Sequence, residues 1–101
     1  VPERASGPLQ VAEMIMDLAE KTGLTDTTIF HEQEYEKYIA WSLFVRARGA
    51  PRIVNAQRRR PGANRQYYVV YVGNDAVAYP TNAASVAKVV VEALLNEVRG
   101  D

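Results

Sequence analysis

The 101-residue sequence contains no cysteine, which excludes a disulfide framework and a thiolate zinc site and favours a reducing, intracellular compartment without choosing among cytoplasm, nucleus and mitochondrion. It has a single histidine, His31, followed by acids at Glu32 and Glu34. The usual pairing of a nucleophile with an imidazole base is therefore poorly served. The carboxylates Glu32, Glu34 and Glu36 are spaced by two, so they do not share a helical face and read as surface acids. There is no glycine-rich phosphate loop and no metal-ligand spacing. The expectation is a protein that is not an enzyme, uses no cofactor or metal and has no small-molecule substrate. Long apolar runs are also missing: the best, Val86 to Leu95, is broken by Lys88 and Glu92, far from the ~20 apolar residues that span a bilayer. The first residue is Val1, and a polar start with prolines at 2 and 8 lacks the apolar centre of a secretory leader. The chain reads as a piece of a longer protein.

What remains is ordinary globular material, 48% hydrophobic and 24% charged, enough for one core. The formal net charge is zero, yet the charges are segregated. Residues 1–36 hold eight acids against Arg4 and Lys21, a balance of −6. Residues 37–73 hold Lys37, Arg46, Arg48, Arg52, Arg58, Arg59, Arg60 and Arg65 without one acid, a balance of +8. Residues 74–101 return −2. Seven arginines without a neighbouring carboxylate suit a polyanion, unless the acidic first third folds back to neutralise them.

Periodicity places the elements. Val11, Met14, Ile15, Leu18 and Ala19 line one face of a helix that starts at Pro8 and stops at Gly23. Residues 24–34 read as a connector, with Thr27 to Phe30 extended. From Glu34 to Arg48 the residues Tyr38, Trp41, Leu43, Phe44 and Val45 suggest a second helix, closed by Gly49, Ala50 and Pro51. Three strands follow: Arg52 to Gln57, Gln66 to Val72, and Ala76 to Tyr79, the last two joined at Gly73, Asn74 and Asp75 as a hairpin. Thr81 or Asn82 caps a final helix with Ala87, Val90, Val91, Leu94 and Val98 on its inner face. Strands in a run between helices indicate an α+β fold with an antiparallel sheet. Trp41, Phe44 and Tyr68 are expected in its core.

The unit from about Glu36 to Val98 resembles the double-stranded-RNA-binding domain family. The resemblance rests on Gly49, Ala50, Pro51 and Ile53 after the first helix, on the loop Pro61, Gly62, Ala63, Asn64, and on Tyr68, Val70, Val72 and Gly73 in the second strand. Ala87 and Lys88, with the run to Leu95, complete it in the last helix. It implies an α-β-β-β-α domain over 36–99, a three-stranded antiparallel sheet with two helices on one face, preceded by an N-terminal helical extension and connector over 1–35.

The resemblance also implies a function: binding double-stranded RNA by shape across ~16 base pairs, as an accessory domain of a larger RNA-processing protein of helicase or nuclease type. The implied contacts form three patches. Ser42 and Arg46 lie on the first helix, and Arg60, Asn64 and Arg65 lie in the loop with Arg58 and Arg59 beside them. Asn82, Ser85 and Lys88 stand at the N-terminus of the last helix. On the strand that carries them, Tyr68, Val70 and Val72 should face the helices, leaving Tyr67, Val69 and Tyr71 on the opposite face. That second surface suggests a cover, either the N-terminal helix or a protein partner, self-association included. A protein-interaction or dimerisation module of the same fold is the alternative to RNA binding.

Overall fold

A computed structural model describes residues 7–24, 26–32, 39–59 and 68–99. Two helices enclose five strands in chain order: α1 (Pro8–Lys21), β1 (Thr27–Glu32), β2 (Ile39–Ala47), β3 (Val54–Arg59), β4 (Tyr68–Val72), β5 (Asp75–Ala78) and α2 (Ala83–Arg99). The strands form one antiparallel sheet in the order β1-β2-β3-β4-β5, each paired with its sequence neighbour. Both helices lie on one face of it: α1 packs along α2 and reaches β1 and β2, while α2 covers β2, β3 and β4.

The helices end as local chemistry dictates. Pro8 opens α1, where a missing N–H costs nothing. At the other end Gly23 takes φ 92; its N–H donates to the Glu20 carbonyl at 3.2 Å, and the Leu24 N–H donates to the Ala19 carbonyl at 2.8 Å. These are the paired bonds of a Schellman stop. For α2, Asn82 Oδ1 accepts the Ser85 N–H at 2.8 Å, a side-chain N-cap. The β4–β5 hairpin turns on Gly73 at φ 62 and Asn74, which lacks positive φ, the type II′ arrangement.

The segment expected as a second helix contains β2, and the sheet has five strands rather than three. The reason lies in spacing: Trp41, Leu43, Val45 and Ala47 recur every two residues, which sends them around a helix but along one side of a strand. All four are buried in the core with Val54, Ala56, Tyr68, Val70 and Val72. The α-β-β-β-α order is thus replaced by one helix, five strands and one helix. The expected division near residue 35 falls between two strands, β1 and β2, that pair along their length. Nor does α1 cover the Val69 and Tyr71 face. Its Val11, Ile15 and Ala19 join the core on the same side as α2, the two helices packing along each other over one sheet face. Among the described residues no helix is long and apolar enough to cross a membrane.

Candidate nucleic-acid interface

The sheet has one face under the helices and one without them. Register fixes which side chains share the second face. Phe30 stands opposite Phe44, Phe44 opposite Asn55, and Asn55 opposite Tyr71, a single row across four strands. Neighbouring strands lie about 4.8 Å apart, so Phe30 and Phe44 are adjacent and Tyr71 lies about 10 Å beyond Phe44. Phe30 is 52% exposed, and Phe44 and Tyr71 are half-buried. Asn55 between them is fixed: its Nδ2 donates to the Leu43 carbonyl at 3.0 Å, and its Oδ1 accepts from Gln57 Nε2 at 2.9 Å. Aromatic faces therefore flank a rigid amide, on a row with no charge. Phe44, expected in the core, belongs to this outer row, whereas Trp41 and Tyr68 do pack inside, with ring centroids 6.3 Å apart.

Arg46 follows two residues after Phe44, opposite Thr28, and is exposed. Beside it opens a shallow hollow of about 400 Å³ lined by Thr28, Arg46, Arg48, Asp26 and Gly49. Arg48 donates to Asp26 at 3.1 Å on its rim. A hydroxyl and two guanidinium groups within one hollow are donors suited to a phosphate, with Asp26 offsetting part of their charge. Register sets Thr28, Phe30, Phe44, Arg46, Asn55, Gln57, Arg59 and Tyr71 on this face, with the acidic Glu32 at the register position opposite Ser42.

The basic stretch does not gather into one patch. Arg52 is drawn to the helices: its Nε donates to Glu97 Oε1 at 3.2 Å and its Nη2 to Oε2 at 2.8 Å, with Asp75 4.0 Å away. The hydrogen bond from Arg52 holds the Glu97 carboxyl below the ordinary carboxylate range, against the opposing pull of burial, and raises Arg52 in turn. Arg58 turns to the helix-covered side, its guanidinium 4.9 Å from the Tyr68 ring centroid. Arg59, the next residue, points to the other side.

The three expected patches are therefore separated. Ser42 sits on β2, not on a helix, and is only 2% exposed. Arg46 is accessible but on the helix-free face, while Asn82, Ser85 and Lys88 belong to the helical layer on the opposite side. Asn82 is engaged as a cap; Lys88 is exposed. Arg60, Asn64, Arg65 and Tyr67 lie outside the described residues. Val69 and Tyr71 take the face expected of them, with Val69 sealed and Tyr71 partly accessible. Sequence reasoning missed Phe30, Phe44 and Thr28 as neighbours; the alternation in Thr27 to Phe30 was the available signal. Comparison with protein-family models, with curated proteins and with solved structures finds no match for this chain, so no family, the double-stranded-RNA-binding one included, is assigned by similarity.

Proposed function

We propose that this chain is a nucleic-acid-binding module that holds unpaired nucleotides, RNA in the first place, on the helix-free face of its sheet. The observation that carries the proposal is the row Phe30, Phe44, Tyr71 in register beside the Arg46 hollow. Accessible aromatic side chains on a sheet surface stack bases, at about 1–3 kcal/mol per base, and an adjacent cation holds the connecting phosphate. The duplex reading loses its first-helix patch, and a rigid double helix does not reach both Arg46 and Lys88 across the thickness of the domain. A flexible single strand needs only the one face. RNA rather than DNA is favoured by the sequence resemblance alone.

The test is an anisotropy titration of the full chain with single-stranded RNA, an RNA duplex of about twenty base pairs, and single-stranded DNA. Tightest binding to single-stranded RNA supports the proposal; preference for the duplex restores the shape-reading alternative. Two arginine–phosphate contacts, at a slope of about 0.7 each, weaken binding about sevenfold from 50 to 200 mM salt. A second reading, a protein-interaction or self-association surface, draws on the exposed Phe30 at the sheet margin. Silence toward all three nucleic acids, with concentration-dependent mass in sedimentation, selects it.

A further inference from the structure

Helix α1 carries a second apolar stripe that the core does not use. Val11, Ile15 and Ala19 are buried, but Leu9, Ala12 and Met16 recur at i, i+3 and i+7 on an adjoining face, with Leu9 70% and Met16 41% exposed. This stripe looks over the margin of the sheet, where Thr27 and Ile29 of β1 complete a groove of about 690 Å³. Two further observations describe what the groove accepts. Among the described residues strand β1 is the sheet's edge, with β2 as its one strand neighbour, so its other side offers alternating N–H and C=O groups to an added strand. Glu13 and Asp17, i and i+4 on α1, line the same groove, and neither takes part in an ion pair among the described residues.

We propose that this groove binds an extended segment of a partner protein in which apolar and basic residues take turns at every second position, so that both kinds point to the α1 side, pairing with β1 as a sixth strand. Apolar side chains of the segment settle against Leu9, Met16 and Ile29, and its cations reach Glu13 and Asp17. Backbone pairing supplies affinity and the alternating pockets supply selectivity. The acids exclude a nucleic acid here. They also argue against a second copy adding through its opposite margin, because β5 (Asp75–Ala78) brings an acid and no cation. The groove opens on the α1 side of β1 while Phe30 of the same strand faces the other side, so the two surfaces share a strand but not a face, and the inference stands independently of the proposed function.

The probe is a fluorescent heptapeptide with valine and lysine in turn at its odd positions and threonine between them, titrated into the full chain. Its controls are the glutamate–valine counterpart and a lysine–valine peptide N-methylated at alternate amides along one edge. The expected result is saturable binding of the first peptide, at least tenfold weaker binding of both controls, and NMR shifts concentrated on the β1 amides. Glu13→Lys with Asp17→Lys, and separately Met16→Lys, should each weaken the lysine peptide at least tenfold. All three positions are exposed to solvent or lie at the groove, so the fold should persist and circular dichroism checks that it does. No saturation below about millimolar peptide, equal binding of the glutamate peptide, or indifference to N-methylation overturns the proposal. Retained RNA binding by these variants shows that the two surfaces fail or succeed separately.

Discussion

Leu43 and Phe44 are consecutive residues of β2 that face opposite ways, and their truncation to alanine should separate stability from binding. Leu43 is fully buried in the core and pairs with Ala56 beneath the helices. Removing its branched end loses transfer energy and leaves a void, costing about 2–5 kcal/mol. Taking a urea m-value of about 1–3 kcal/mol/M for a domain this small, a loss near 3 kcal/mol moves the unfolding midpoint by about 1–3 M. Phe44 is half-buried on the helix-free face. Its truncation forfeits part of one cross-strand aromatic pair with Phe30, about 1 kcal/mol or less. In binding the order reverses. Loss of a base-stacking surface worth about 1–3 kcal/mol weakens single-stranded RNA about five- to 150-fold, while Leu43→Ala, assayed below its midpoint, binds as the parent does. Urea titration and RNA anisotropy on the same preparations measure both quantities. If Phe44→Ala destabilises as severely as Leu43→Ala, the register of β2 described above is wrong; if it leaves RNA affinity unchanged, the stacking role is wrong.

Three further outcomes follow from named contacts. The Glu97 carboxyl titrates below its ordinary range in the folded state because Arg52 hydrogen-bonds it. The stability it contributes is therefore present above the unfolded-state value, about 4.3 for a glutamate, and declines as pH falls through the lower folded value; Arg52→Met should flatten that acid limb in urea midpoints measured from pH 6 to 3. Gly23→Ala forces a left-handed φ on a residue with a Cβ, although nothing lies within 4 Å of that position, so the loss is a backbone one of about 1–2 kcal/mol by thermal unfolding. Arg46→Gln should reduce the slope of log affinity against log salt by about 0.7 without moving the unfolding midpoint, whereas an unchanged slope removes Arg46 from the phosphate contacts.

Much of the fold was legible because the relevant signals are local. The α1 stripe, its Gly23 stop, the Asn82 cap and the Gly73–Asn74 hairpin each involve residues within a few positions of one another. Strand β2 was misread because Leu43, Phe44 and Val45 form an unbroken apolar run, which hides an alternation that only Trp41, Ala47 and the buried Ser42 complete. Ser42 then passed for an exposed contact, as it would on the outside of a helix. The arginines misled for a different reason. Arg58 and Arg59 adjoin in sequence but leave a strand on opposite faces, and the partner of Arg52 is Glu97, 45 residues away. Charge counted along the chain carries no information about either. The parity of β4 was readable, so Val69 and Tyr71 were placed on the correct face, but their neighbours Phe30 and Phe44 depend on strand pairings that no local pattern specifies.

Unpaired nucleotides lying across Phe30, Phe44 and Tyr71 would bring base rings against these side chains. The most direct measurement of that placement is an NMR titration of the full chain with a short single-stranded RNA, following the aromatic ring protons. Stacked bases give upfield ring-current shifts at these three residues, saturating together, with the buried Trp41 and Tyr68 little changed. Shifts confined to α2 around Lys88, with the three outer rings unmoved, would contradict the stacking.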